Sequence, residues 1–241
     1  MKLTIGKVIC YLVAIYFFYL MLEITLRYIP LDREVAFLAI KQEEVQGVPG
    51  YLPLFYVHVY SAILVLLCCF TQFSTYLLKT YPAVHRLGGK LYVFIVLFLA
   101  APSGLFIGFF ANGGGVAVAA FLLLAILWFY FTWQGLRAIQ KGDVAQHRAM
   151  MLCSFSLAFS AVTLRLWKVI LVYFFEPAPM DLYRVIAWLG WVPNLLLIIC
   201  YLTIKSLKNE KNPSVPFIRR YVSFLSTEKN AGEEGRTRRR K

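Results

Sequence analysis

The chain has 241 residues, of which 60% are hydrophobic, 17% are aromatic and only 15% are charged, and its formal net charge is +13. A soluble domain is about a quarter charged, so this chain has too few charged side chains to cover a surface that faces water. Together with a mean hydropathy of +0.68, the composition excludes an ordinary soluble enzyme, a disordered protein and a secreted disulfide scaffold, and it predicts lipid as the main solvent.

Six apolar segments are long enough to cross a bilayer as helices. A spanning helix needs about 20 mostly apolar residues, and the alternating segments typical of membrane β-barrels are absent from the sequence. We therefore expect an all-α integral membrane bundle of six transmembrane helices. The predicted spans are residues 8–29, 53–78, 90–111, 115–136, 149–175 and 185–204.

The first apolar segment resembles a signal peptide because Lys2 and Lys7 precede it. No small-x-small cleavage pattern follows, so we interpret it as a retained first span. Between the third and fourth spans, Asn112 and three glycines favour a tight turn, since glycine accepts positive φ without strain. Those two spans should form an antiparallel hairpin.

The distribution of Lys and Arg predicts the orientation, since cytoplasmic loops are enriched in both residues. The basic residues on one side are Lys2, Lys7, Lys79, Arg86, Lys90, Arg137, Lys141, Arg148 and those from Lys205 onward. The charged residues on the other side are Asp32, Arg33, Glu34, Lys41, Glu43, Glu44, Glu176, Asp181 and Arg184. Both termini should therefore face the cytoplasm.

The chain divides into a six-span domain, residues 1–204, and a basic cytoplasmic tail, residues 205–241. The tail has eleven Lys or Arg against four Glu, a net charge of +7. Apolar residues recur at helical spacing over 217–225, which favours a short interfacial helix on anionic lipids of the inner leaflet. The alternative is a solvated tail without fixed structure. Nucleic acid is not an expected partner, because no folded basic domain accompanies the charge, and the oligomeric state stays open.

Three histidines occur in the whole chain, and two of them stand in matching positions. His85 and His147 are 62 residues apart, and each is followed at once by an arginine, Arg86 or Arg148. A glutamine precedes each histidine by thirteen residues; the pair is Gln72 and Gln134. The spacing is typical of a duplicated helical hairpin, spans two–three and four–five. Coincidence between two short motifs is the alternative.

The polar residues near the spans fall into two layers. The inner layer comprises His85, Arg86, His147 and Arg148, with Gln72 and Gln134 slightly deeper. The outer layer comprises His58 and Arg165, with Lys168 and Glu23 as further candidates. Ionisable residues inside a span usually face the bundle interior or a cavity. For Arg86 and Arg148 the simpler interpretation is anchoring at the cytoplasmic surface.

These motifs resemble the DUF2306 family of bacterial predicted membrane proteins. The family pattern begins with His58 and Gln72 and continues through His85-Arg86-Leu87-Gly88-Gly89-Lys90-Leu91-Tyr92 and Ser103-Gly104-Leu105. It ends with Gly142-Asp143-Val144-Ala145-Gln146-His147-Arg148-Ala149-Met150-Met151 and Thr163-Leu164-Arg165. The chain departs from the family at Met150, where the family usually has Trp. The resemblance covers about residues 53–170. It implies a multi-span protein of the bacterial inner membrane and gives no activity.

Three hypotheses for the function follow. In the first, His85 and His147 bind one b-type haem through both axial positions, with Arg86 and Arg148 on the propionates, or they bind a quinone together with the two glutamines. In the second, the His-Arg pairs bind or transport an anionic lipid headgroup or a small anion. In the third, the protein is a non-catalytic assembly or scaffold subunit.

No hydrolase or protease motif occurs in the sequence, so an enzymatic activity is left open and no catalytic residue is assigned. All five cysteines fall inside predicted spans without a Cys-x-x-Cys pair, which is typical of core residues. Whether a metal binds stays open. Asp143 stands where it could orient His147 or cap the fifth helix, and we expect the cap.

Overall fold

The computed structural model describes residues 5–208, and every regular element in that range is helical. The predicted tail beyond residue 208 lies outside the described residues. Eleven α-helices follow one another in this range. Their bounds are α1 Ile5–Leu26, α2 Gln42–Gly47, α3 Tyr51–Phe73, α4 Thr75–Thr80, α5 Pro82–Ile95, α6 Ala101–Gly108, α7 Gly115–Gln140, α8 Val144–Ala158, α9 Ser160–Phe175, α10 Pro179–Leu189 and α11 Val192–Lys208.

Four to five of these helical segments are long and apolar enough to cross a membrane. The four are Tyr51–Cys69, Pro82–Gly108, Gly115–Gln140 and Pro179–Ser206. The fifth is the pair α8–α9, which is bent by 41° at its break. These segments correspond to predicted spans two to six. Within α1, which corresponds to the first predicted span, the apolar helix Ile15–Leu26 falls below the length of a span. The fold is therefore an all-helical membrane bundle.

The span formed by α5 and α6 is continuous but irregular. A π-helical turn, Val96–Ala100, joins the two helices. Pro102 follows at the start of α6, where a missing backbone N–H is tolerated. The helix begins at Pro82, eight residues before the predicted start of the third span, so it includes His85.

The connections on either side of α7 agree with the sequence. Gly113 and Gly114 have positive φ of 88° and 71°, and they turn the chain from α6 into α7. At the other end, the side chain of Asp143 accepts a hydrogen bond of 2.9 Å from the Gln146 N–H. Asp143 is therefore the N-cap of α8, as predicted.

One side chain connects the break between α8 and α9 with the break between α10 and α11. Asn194 of α11 donates to the Ser156 carbonyl near the end of α8, at 3.3 Å, and to the Gly190 carbonyl between α10 and α11, at 3.1 Å. Its amide also donates to Thr163 Oγ1 at 2.9 Å, and the Thr163 hydroxyl donates to the Gly190 carbonyl. The freed carbonyls at both breaks thus find partners, as apolar surroundings require.

The main core lies where α3, α5, α7, α8 and α11 meet, and it contains Tyr92, Val96, Trp128 and Phe155. Large apolar side chains on the outward faces of the helices are exposed, as expected for surfaces in contact with lipid.

A folded connection between α1 and α3, residues 27–50, covers one end of the bundle; we call it the cap. Leu38 of the cap is fully buried in a cluster with Tyr51 and Phe55. Lys41 is 3% exposed, and its Nζ donates to Glu44 Oε1 and to the Phe110 carbonyl, each at 2.5 Å. A buried ammonium with both a carboxylate and a carbonyl partner fixes the cap to the end of α6.

Candidate functional site

His85 and His147 occupy the same position in their helices and lie at similar depth in the bundle. Each is the fourth residue of its helix, α5 for His85 and α8 for His147. Tyr92 and Ser154, each seven residues after its histidine, lie 2.6 Å apart through their hydroxyl oxygens, so α5 and α8 pack in a register that puts both histidines at similar depth. The structure therefore places the two histidines that the sequence singled out at the same end of the bundle.

The ring of His147 is held by the neighbouring helix. Its Nδ1 lies 2.8 Å from the Gly135 carbonyl of α7. A carbonyl oxygen only accepts, so Nδ1 carries the hydrogen, and in the neutral imidazole Nε2 is left as an acceptor. Gly135 permits this approach of α7 to α8, because an added Cβ would lie 2.7 Å from Met151 Sδ.

His85 is placed differently. Its Nδ1 is buried without a hydrogen-bond partner in the described part of the chain. Its backbone carbonyl accepts from Gln72 Nε2 at 3.0 Å, which joins the end of α3 to the start of α5. The helices meet closely here, since a Cβ on Gly88 would lie 2.5 Å from Thr71 Oγ1 and 2.9 Å from Gln72 Nε2.

The other predicted inner residues do not converge on the histidines. Gln134 is partly buried and forms no hydrogen bond with a described residue. Its counterpart Gln72 contacts a backbone carbonyl rather than an imidazole. Arg86 and Arg148 are exposed, because a residue that follows another on a helix points about 100° away around the axis. The two copies of the proposed repeat thus differ in their contacts.

The end of the bundle around these histidines is basic and unneutralised; we call it the basic end. It carries exposed Lys79, Arg86, Lys90, Arg137, Lys141 and Arg148. Within residues 5–208, the ion pairs are Arg27–Glu23, Lys41–Glu44 and Arg184–Asp181. None of them involves the basic end.

His58 lies in α3 about 21 Å from Gln72 along the helix, at 1.5 Å per residue. Its Nδ1 is 2.9 Å from the Ala100 carbonyl at the end of the π-helical turn, so this ring also has its hydrogen on Nδ1. A Cβ at Gly104 would lie 2.8 Å from His58 Cε1, so the glycine makes room for the imidazole. His58 lines a cavity of about 200 Å³.

Arg165 was predicted to share the outer layer with His58, but no hydrogen bond joins the two in the described chain. Arg165 is partly buried, and its Nη1 donates to the Ala161 carbonyl of its own helix at 2.6 Å. Of the two further candidates, Glu23 pairs with Arg27 and Lys168 is exposed.

A buried polar network in the middle of the bundle escaped the sequence analysis. Tyr92 Oη lies 2.6 Å from Ser154 Oγ, which lies 2.7 Å from Thr132 Oγ1. Trp128 Nε1 donates to Tyr92 Oη at 3.1 Å. Tyr92 belongs to the His-Arg motif, but hydroxyls spaced along three helices give no sequence signal that they meet. Each polar group in the network has a partner, so it stabilises the packing of α5, α7 and α8.

Among the residues that the structure describes, no three His, Cys, Asp or Glu side chains are grouped so that they could hold a metal ion. The site is therefore defined by two histidines and by the unpaired cations around them.

Fold and sequence together define an all-helical, multi-pass membrane protein. A family model described as a predicted membrane protein, DUF2306, matches residues 55–202. Because this match spans more than half of the chain, the protein belongs to the DUF2306 family. No curated protein and no solved structure matches the chain significantly.

Proposed function

We propose that this protein binds the phosphate headgroup of an anionic lipid at its basic end. One observation carries the proposal: six exposed Lys and Arg surround His85 and His147, and none of these cations pairs with an acidic side chain of the described chain. Unpaired cations at one depth attract anions, and the planar guanidinium of Arg fits phosphate in a bidentate way.

The proposal includes a topology. Cytoplasmic loops are enriched in Lys and Arg, so we infer that the basic end faces the cytoplasm. With α1 as a sixth span, both termini would lie on that side. The tail, of which only the first residues up to 208 are described, would then add its net charge of +7 at the same anionic leaflet.

The packing supports a lipid or a small anion better than haem. Below the two histidines, the space between α5, α7 and α8 is filled by buried Tyr92, Met150, Met151 and Ser154. A porphyrin bridging His85 and His147 would have to displace these side chains, at a cost of several kcal/mol for lost packing.

A quinone is the second candidate, and the geometry of His147 favours it. Its Nδ1–H donates to Gly135, so the neutral ring offers Nε2 as an acceptor for a quinol hydroxyl. The buried Nδ1 of His85, which lacks a partner in the described chain, would offer a second contact. A scaffold role, the third hypothesis, requires no ligand at this site.

The test is lipid retention by the purified full-length protein. Wild type and the double variant Arg86→Gln/Arg148→Gln are each incubated in detergent with phosphatidylglycerol or phosphatidylcholine, and unbound lipid is removed by detergent exchange. Native mass spectrometry then counts the lipid molecules that stay bound. At about 1 kcal/mol for each basic residue, the double variant should bind phosphatidylglycerol about 30-fold more weakly. Inorganic phosphate, added as competitor, distinguishes a free anion from a lipid: it displaces phosphatidylglycerol only if the anion alone is recognised.

The matched control is Arg27→Gln/Arg33→Gln, which removes two exposed arginines at the other end of the bundle. It should retain phosphatidylglycerol like the wild type. Equal retention of phosphatidylglycerol and phosphatidylcholine by wild type, or unchanged retention by the basic-end variant, contradicts the proposal. A quinol that co-purifies and is lost in His147→Leu would support the second candidate.

A further inference from the structure

The cavity beside His58 lies at the opposite end of the bundle from the proposed lipid site. It has a volume of about 200 Å³ and is enclosed by residues of the cap, α3, α6, α7, α8, α9 and α10. Aromatic side chains dominate its wall, among them Phe37, Phe55, Phe121 and Trp128. An apolar cavity of about 150 Å³ takes up benzene, so this one has room for one ring with small substituents.

The cavity presents one firmly oriented acceptor. His58 donates Nδ1–H to the Ala100 carbonyl, so neutral His58 has an acceptor at Nε2. No described residue donates a hydrogen bond to that atom. Gly104 leaves the space that the ring occupies, since a Cβ there would collide with His58 Cε1. A ligand that carries a hydroxyl would therefore donate a hydrogen bond to His58 Nε2, which is already oriented as an acceptor.

The wall also contains two free phenols. Tyr51 and Tyr183 line the same cavity, and neither hydroxyl forms a hydrogen bond within the described chain. The cavity thus combines an acceptor, phenolic donors and aromatic faces, which are the groups that would surround a ring bearing oxygen substituents.

We propose that this cavity binds a single hydroxylated aromatic ring, of the phenol or hydroquinone type, through a hydrogen bond from the ring hydroxyl to His58 Nε2. Stacking and edge contacts with the aromatic wall provide the remaining affinity. This site is independent of the proposed lipid site, from which it is separated by most of the length of α3.

The cap covers the cavity at its end of the bundle. Phe37 of the cap contributes to the wall, and Lys41 attaches the cap to the Phe110 carbonyl, next to that wall. A ligand therefore enters either between the helices from the lipid phase or after the cap has moved. An apolar ring with one hydroxyl partitions into lipid, which suits the first route.

The experiment uses 4-fluorophenol as the probe and 4-fluoroanisole, which lacks the hydroxyl donor, as its matched control. Binding to the full-length protein in detergent is followed by ¹⁹F NMR, with protein-free micelles as the reference for partitioning. Saturable binding of 4-fluorophenol is expected, at least tenfold tighter than that of 4-fluoroanisole. His58→Leu should weaken phenol binding at least tenfold and leave anisole binding unchanged.

Two further variants keep the proposal testable if His58→Leu fails to fold. Ala62→Leu adds bulk at a residue that lines the cavity, and it should abolish saturable binding of 4-fluorophenol. Ala119→Leu adds the same bulk on α7 away from the cavity and should leave binding as in wild type. The proposal is overturned if 4-fluorophenol only partitions into micelles, if the two probes bind equally, or if Ala62→Leu binds as well as wild type. If His58 Nε2 binds only an ordered water and no aromatic ligand, 4-fluorophenol will only partition into micelles.

Discussion

At the scale of single residues, Tyr92 forms polar contacts with side chains of two other helices. It is fully buried, and its hydroxyl contacts Ser154 and accepts from Trp128. In lipid no water can replace such partners, so a buried hydroxyl network holds helices in one register. The position of Tyr92 in the His-Arg motif has a structural explanation: two turns after His85, it fixes α5 against α7 and α8.

Replacing Tyr92 by Phe tests this role. The hydroxyl is lost while the ring still fills its space, and Trp128 Nε1 is left without an acceptor, so we expect a loss of about 1–2 kcal/mol in the free energy of unfolding. The measurement is unfolding in detergent followed by circular dichroism at 222 nm. Tyr130→Phe removes the same atom from an exposed ring and should be neutral within about 0.5 kcal/mol. Equal stability of both variants would show that the network contributes nothing.

His85 shows how far a single residue can be predicted. The sequence identified it together with His147, because a rare residue is repeated in the same dipeptide. The hydrogen bond between Tyr92 and Ser154, each seven residues further on, puts the two histidines at similar depth. The roles of their partners could not be predicted. Whether Gln72 reaches an imidazole or a backbone carbonyl depends on the rotation of α3 against α5, and that rotation follows from the close contact at Gly88.

At the scale of helices, the interrupted segments α8–α9 and α10–α11 are joined at their breaks. Thr163 belongs to the Thr-x-Arg motif, and its contacts with Gly190 and Asn194 give the motif a structural explanation. A Cβ on Gly190 would lie 2.9 Å from Leu164 Cβ, so the small residue permits the approach. The α8–α9 break has no proline, which is why the sequence did not indicate it, whereas Pro193 follows the α10–α11 break at the second position of α11.

Asn194→Leu should loosen both breaks. It removes the amide that donates to three oxygens, so carbonyls in an apolar region lose partners, and we expect a destabilisation of about 1–2 kcal/mol. Hydrogen–deuterium exchange should rise selectively at residues 156–163 and 187–194. Thr203→Val is the control on the same helix, because among the described residues the Thr203 hydroxyl donates only to the Ile199 carbonyl of α11. Unchanged exchange in Asn194→Leu would mean that packing alone sets the bends.

At the scale of the whole molecule, the charge distribution and the helix lengths together predict a topology. The basic end and the cap lie at opposite ends of α3, and each loop between spans belongs to one of them. Four to five helical segments are long and apolar enough to span the membrane. A total of six spans requires that α1 also crosses.

Cysteine labelling in intact cells tests this topology. In a parent without native cysteines, Asp181→Cys, an exposed position predicted to be outside, should react with a membrane-impermeant maleimide. Lys141→Cys, exposed in the turn before α8, should react only after lysis. Lys2→Cys should behave like Lys141→Cys if α1 crosses the membrane, and like Asp181→Cys if it does not. Labelling of Lys141→Cys in intact cells would show that the orientation is the reverse of the predicted one. It would also contradict lipid binding at the inner leaflet.

The sequence by itself determined the class of protein, the family, the helical content and the spans from the second to the sixth. The family follows from the spaced motifs around His58, His85 and His147. The helical content and the spans follow from hydropathy and from glycine turns, which depend on the lipid solvent rather than on which helix touches which. The Asp143 cap was predictable for the same reason, since capping involves only neighbouring residues.

Only the tertiary structure decided the cavity at His58, the Tyr92 network and the paired breaks at Asn194. Each of these joins residues that are far apart in the chain, and each depends on how helices rotate and approach one another. In the tertiary structure Arg165 donates to a carbonyl of its own helix and Arg86 and Arg148 are exposed, because side-chain direction is fixed by helix packing. A charge count can indicate which end of a bundle is basic, but only packing decides which of those charges face one another.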